Sequence, residues 1–181
     1  GCRNYEKHLG RRPSGIWLPE CAYAPGLEEL LAESGLRYFF LDAHGVLSGS
    51  PRPRFLTYRP VLTPAGVAAF ARDPETGIQV WSAEHGYPGD PVYREFYRDL
   101  GYDGDFELVR SCLHPDGVRR NIGLKYHRVT GKVALDKKEP YVPDWARKCA
   151  ASHAEHFMTS NEERVSSLRK DLGVRPLICA M

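Results

Sequence analysis

The stretch GIWLPECAYAPGLEELLAESGLRYFFL, residues 15–41, decides how this chain folds. Ile16-Trp-Leu18 is a short apolar run that reads as a buried strand, and Leu36-Arg-Tyr-Phe-Phe-Leu41 is a second. Between them, Pro25–Ser34 has the marks of a helix. Pro25 sits at a start position, Glu28 and Glu29 fall in the first turn, leucines stand at 27, 30 and 31, and Gly35 lies just past the end. A strand, a connector of crossover length and another strand predict a parallel pair, since an antiparallel pair can be joined by a tight hairpin. Pro13-Ser-Gly15 separates this segment from the end of a helix within residues 5–11.

Working outward, residues 42–66 are rich in Gly, Pro, Ser and Arg and predict an excursion over the surface, the kind of long loop that commonly carries function. Val67–Ala71 reads as a helical turn. Ile78-Gln-Val-Trp-Ser82 reads as a third strand running into Gly86-Tyr-Pro-Gly89. Asp90 as an N-cap and Pro91 at the first helical position predict a helix to Leu100, closed by Gly101. Gly123–Thr130 alternates like a strand and turns at Gly131-Lys132. Pro143–Asp171 is the longest helical stretch, with an interruption expected near Thr159-Ser160, and Arg175–Met181 reads as a final strand.

This alternation predicts an α/β fold with a parallel sheet, as a barrel rather than an open sheet. A complete barrel takes about 250 residues, so the strands expected here form part of one. The start at Gly1 and the apolar run ending at Met181 fit the same expectation: residues 1–181 as a single domain fragment, truncated at both ends.

The chain is 42% apolar and 27% charged, the composition of an ordinary globular protein. No run approaches the roughly 18 apolar residues of a membrane span, and no signal-peptide order opens the chain. Five scattered cysteines without a Cys-x-x-Cys pair predict neither a disulfide framework nor a thiolate zinc site, and fit a reducing cytoplasm. A net charge of +2 gives no case for nucleic acid. The basic residues Arg119, Arg120, Lys125, Arg128, Lys132, Lys137 and Lys138 read as a solvated hairpin edge.

Glu20 stands where a strand ends, and in α/β folds that position faces the ligand crevice. Spacing alone leaves it two roles: a reactive carboxylate, or a cap or arginine partner for the next helix. Trp17 is likewise open between sugar stacking and core. His153 and His156, with Glu155 beside them, lack a nearby third ligand and read as a polar helix face, so neither a metal nor a cofactor is expected. The seven histidines contain no His-x-x-x-His pair, which speaks against a barrel deacetylase built around a cation.

Gly15-Ile-Trp-Leu-Pro-Glu-Cys-Ala-Tyr23 resembles the nucleophile motif of the branching-enzyme branch of glycoside hydrolase family 57. Val80–Asp99, Leu113–Arg119 and Gly123–Gly131 resemble further stretches of the same enzymes in the same order, so the likeness covers almost the whole chain. It implies a partial (β/α)7 barrel and a retaining mechanism with Glu20 as nucleophile. It also implies an aspartate acid/base beyond Met181, a histidine motif before Gly1, and the remainder of the barrel as a partner. The implied substrate is an α-glucan, cleaved at an α-1,4 link and transferred to a 6-hydroxyl. Trp17, Tyr23, Trp81, Asp116 and Arg119 become candidate groove residues, Tyr87 a mobile loop tyrosine that excludes water, and Cys21 a small packing residue. Alternatives are a 4-α-glucanotransferase or amylase of the same family, and a non-catalytic glucan-binding protein.

Overall fold

The two apolar runs around Glu20 pair in parallel. Strand β1 (Gly15–Trp17) lies beside β2 (Tyr38–Leu41), with Gly15 opposite Tyr38 and Trp17 opposite Phe40. They belong to a computed structural model that describes residues 1–181 and divides into two units, Gly1–Gly77 with Asn161–Met181, and Ile78–Ser160.

In the first unit, α1 (Cys2–Leu9) precedes β1, and α2 (Leu27–Glu33) makes the crossover to β2. Gly35 closes α2 at φ 76°, which lets the Leu36 N–H reach back to the Leu31 carbonyl at 2.9 Å. After α3 (Ala43–Leu47) the chain returns as β3 (Val61–Leu62) and β4 (Ala68–Ala71). The sheet order is β1-β2-β4-β3, parallel throughout except for the edge strand β3.

Strand side chains alternate between faces, and the two faces have different fates. Phe39, Leu41, Ala69 and Ala71 point into a core with Leu18, Leu31, Leu36, Val46 and Val67. On the other face Tyr38, Phe40 and Phe70 form an aromatic cluster with centroids 5.7–5.8 Å apart, and Trp17 adds to it 6.5 Å from Phe40. Those three rings are only half-buried. Gly15 has no side chain because a β-carbon there would overlap the Tyr38 ring.

Several sequence expectations are corrected. Val67–Ala71 is not a helical turn: Ala68–Ala71 forms β4, because small residues fit beside Tyr38, Phe39 and Leu41 across the parallel register. Ile78–Ser82 is no strand: Pro74–Trp81 forms α4, whose start is held by the Asp73 carboxylate accepting the Thr76 N–H at 2.9 Å. Arg175–Met181 joins no sheet, although Leu177 N–H bonds the Tyr58 carbonyl at 3.0 Å and Asp73 N–H the Cys179 carbonyl at 2.9 Å.

In the second unit the expected helix from Asp90 to Leu100 does not form. Asp90 takes the Val92 N–H at 3.0 Å and makes a turn, and the chain then runs extended, with Glu95 N–H on the His127 carbonyl and Val129 N–H on the Tyr93 carbonyl. Asp99 caps the short α5 (Leu100–Asp103) instead, ahead of α6 (Phe106–Val109). The same buried Asp99 accepts N–H groups from Gly101, Ile122 and Gly123 at 2.8–3.0 Å and the Lys125 ammonium at 3.0 Å. The basic stretch is a solvated edge only in part: Arg120, Lys132 and Lys137 are exposed, whereas Lys125, Arg128 and Lys138 are drawn in to pair with Asp99, Glu139 and Glu95. Helix α7 (Pro143–Leu172) runs 30 residues without a break at Thr159-Ser160, where the Ser160 hydroxyl bonds the Phe157 carbonyl of its own helix. No helix of the chain is long and apolar enough to cross a membrane.

Phe39 is fully buried in the first unit, so Phe39→Ala should cost about 3–5 kcal/mol in urea unfolding. Asp99 tests the second unit. Burial pushes its carboxyl up, but the surrounding N–H groups and Lys125 outweigh burial and hold it at about 2. That is below the roughly 3.9 of an unfolded aspartate, so its stabilisation is present above about pH 4 and is lost as the pH falls toward 2. Unfolding free energies from urea titrations should decline over that window by on the order of 1–2 kcal/mol, and Asp99→Asn should flatten this part of the profile.

Candidate active site

The chain leaves β1 through Leu18 into a tight turn, Pro19–Cys21, in which Glu20 (φ 53°, ψ 23°) and Cys21 (φ 52°) are both left-handed. For residues with a β-carbon this costs roughly 1–2 kcal/mol each. Surrounding bonds impose it. Cys21 N–H reaches the Leu18 carbonyl at 2.9 Å, Ala22 N–H the Pro19 carbonyl at 3.0 Å, and the Cys21 carbonyl accepts the Asp42 N–H at 3.4 Å, while Leu18 and Cys21 are buried. The strained tip presents Glu20 to solvent, and its carboxylate neither caps a helix nor pairs with an arginine. Strain of this kind persists where structure over-determines it, often at functional sites.

The other two parallel strands also end in carboxylates. Asp42 follows β2 and caps α3 by accepting the Ala43 N–H at 2.7 Å, with His44 3.5 Å away. Asp73 follows β4, is 1% exposed, and takes both ends of the Arg164 guanidinium at 2.5 and 2.7 Å. Arg164 also reaches Glu75 at 2.9 Å. Burial raises the Asp73 pKa, yet Arg164 and the Thr76 N–H prevail and keep it below the usual carboxylate range. Sequence reasoning missed this pair, although Asp73-Pro74-Glu75 is a helix-start signal.

Trp17 is 44% exposed beside Phe40 and is therefore not a core residue. Tyr23 is committed: its ring stacks on Phe39 at 5.4 Å and its hydroxyl donates to Glu28 at 2.8 Å, so burial and that carboxylate push its pKa up to about 12. A cavity of about 610 Å³ opens beside Tyr23, lined also by Val46, Pro53, Val61 and Leu62, but Glu20 is not among its walls.

The remaining candidates lie in the second unit. Trp81 is 64% exposed and lines a depression of about 670 Å³ with Phe96, Tyr97, Arg94 and Glu95. Tyr87 sits in the turn Tyr87–Gly89 with its ring 4.6 Å from His153 and its hydroxyl 2.8 Å from His156 Nδ1; burial raises its pKa. Asp116 is bidentate with Arg120 at 2.6 and 2.7 Å, and this guanidinium holds its carboxyl well below the usual range. Arg119 donates to the Gly101 carbonyl at 2.9 Å and lies over Phe106.

The family model for glycosyl hydrolase family 57 matches residues 3–171. A 1,4-alpha-glucan branching enzyme of Thermococcus kodakarensis is 36% identical over 99% of this chain and 28% of its own length. A probable 1,4-alpha-glucan branching enzyme of Mycobacterium tuberculosis is 33% identical over 96% of the chain and 28% of its own length. Among solved structures, the alpha-amylase AmyC from Thermotoga maritima superposes with a TM-score of 0.85 at 48% identity, covering 98% of this chain and 35% of AmyC. The family 57 branching enzyme from Pyrococcus horikoshii gives 0.75 at 37% identity, covering 98% and 32%. The chain thus spans under a third of the length of these curated relatives.

The strained turn makes a stability prediction. Glu20→Gly should raise unfolding stability by about 0.5–1 kcal/mol, because relief of left-handed strain exceeds glycine's added chain entropy, whereas Glu20→Gln should leave it unchanged. Equal stability of the glycine and glutamine variants in urea would show that the turn stores no strain.

Proposed function

The chain belongs to glycosyl hydrolase family 57, and from that premise we propose that it is part of a retaining 1,4-α-glucan branching enzyme in which Glu20 is the nucleophile. One observation carries this assignment: an exposed carboxylate without a partner, held on a strained turn at the C-terminal end of a parallel strand. In the proposed reaction Glu20 attacks the anomeric carbon of an α-1,4-linked glucose. The leaving oxygen takes a proton from an acid about 5–5.5 Å away. The 6-hydroxyl of another glucan chain then displaces Glu20, giving its proton to the former acid and leaving an α-1,6 branch.

The acid is assigned to sequence outside these 181 residues, and the electrostatics set aside five of the carboxylates within them. A general acid needs a raised pKa, whereas Glu28, Asp73, Glu95, Asp99 and Asp116 are all held below their ordinary values. The half-buried aromatic face of the sheet is where the remainder of a TIM-like barrel would close, with Trp17 offering a ring to the apolar face of a sugar. Trp81 and Tyr87 are proposed as further glucan contacts. Tyr23 and Asp116, engaged by Glu28 and Arg120, and Arg119, which holds the Gly101 carbonyl and lies over Phe106, are assigned supporting roles, whereas Tyr87 is proposed to act through its ring. A cytoplasmic location is part of the same proposal and is supported by the five free cysteines.

Hydrolysis is the second reading, favoured by the 48% identity to AmyC, an alpha-amylase; water would then replace the sugar hydroxyl. Amylose treated with a full-length enzyme containing this sequence separates the two. New α-1,6 linkages are expected, and reducing ends without branches would establish the amylase reading instead. In that enzyme Glu20→Gln should lower turnover by roughly 10⁴-fold or more while glucan binding changes only a few fold. Turnover at the wild-type rate would remove Glu20 from the mechanism.

A further inference from the structure

Helix α7 carries Cys149 and His153 one turn apart, so their side chains share a face. Asp90, in the turn after Gly89, meets them there. Cys149 Sγ lies 3.7 Å from His153 Nε2, and His153 Nε2 lies 3.7 Å from Asp90 Oδ2. The three ligand atoms all fall within 4.8 Å of one another, and each residue is half-buried. A tetrahedral ion with bonds of about 2.0–2.3 Å spaces its ligand atoms roughly 3.3–3.6 Å apart, so small side-chain adjustments would close the site.

The surroundings prepare these atoms for an ion. Asp90 Oδ1 is occupied by the Val92 N–H at 3.0 Å, which leaves Oδ2 toward the cluster. His153 Nδ1 lies 2.9 Å from the Tyr93 hydroxyl, so an Nδ1–H donating to that oxygen would turn the Nε2 lone pair inward. The Tyr87 ring, 4.6 Å from His153, covers another side.

We propose that Asp90, Cys149 and His153 form a binding site for a zinc-class divalent cation, with a fourth position left for water. Thiolate and imidazole select zinc or cobalt over magnesium or calcium, which prefer oxygen ligands alone. On entry the Cys149 S–H bond breaks, a sulfur–metal bond forms, and the proton passes to water. The ion ties the turn bearing Tyr87 to α7. Pairing His153 with His156 by sequence concealed the site, because His156 serves the Tyr87 hydroxyl while the true companions are Cys149 and a residue 63 positions away from His153.

Titration of the metal-stripped protein with Co2+ tests this. A thiolate-to-cobalt charge-transfer absorption and tetrahedral d–d bands should saturate at one ion per chain. Cys149→Ser should abolish the charge-transfer band while Cys112→Ser retains it, and Tyr93→Phe should weaken binding by about 10–100-fold, the scale of an outer-shell partner. Absence of the band, or its persistence in Cys149→Ser, would overturn the proposal. X-ray absorption of the zinc-loaded wild type gives a result that no variant's folding can blur. One sulfur at about 2.3 Å is expected, and a shell of nitrogen and oxygen alone would mean that these residues form only a hydrogen-bonded cluster.

Discussion

In a parallel sheet every strand ends at the same edge, so the hydrogen bonds joining β1 to β2 and β2 to β4 also gather whatever follows those strands. Here a carboxylate follows each: Glu20, Asp42 and Asp73. The crossover through α2 makes this possible, since its Leu31 packs on the face that carries Phe39 and Leu41. Remove the parallel pairing and these acidic side chains have no common edge.

Neighbours then divide the carboxylates. Asp73 is buried and would be costly without a partner, so Arg164 and the helix start at Thr76 neutralise it. Asp42 spends its charge on the first turn of α3. Glu20 receives nothing of this kind. It stands on a turn whose backbone is fixed by the burial of Leu18 and Cys21, and it stays exposed. A committed carboxylate holds structure, whereas an uncommitted one on a rigid support is available for chemistry.

What could be read depended on the range of the interaction. The segment from Gly15 to Leu41 was legible because its strands are apolar and its helix carries local signals, Glu28 and Glu29 in the first turn and Gly35 just past the end. Val67–Ala71 misled because alanine favours helices in isolation, while its place in the sheet was set by bulky side chains on β2. Asp90-Pro91 carried a helix-start signal that the pairing of Tyr93 and Glu95 with His127 and Val129 overrode. Asp73-Pro74 carried the same kind of signal and was obeyed, since no strand competed for those residues. Glu20 was found from its place at a strand end; the Asp90, Cys149 and His153 cluster was not, because nothing local connects a turn to a helix some 60 residues later.

By itself, then, the sequence determined the parallel βαβ start and the position of the candidate nucleophile, from local runs of apolar and turn residues, and the family to which the chain belongs, from motifs spread along almost its whole length. Only the tertiary structure decided that Glu20 is strained and exposed, that Asp73 and Asp99 are locked in place, and that Cys149, His153 and Asp90 converge. The physical reason is that hydrogen bonding and charge pairing act over a few ångströms of space, and a chain reveals such distances only once its distant segments have packed together.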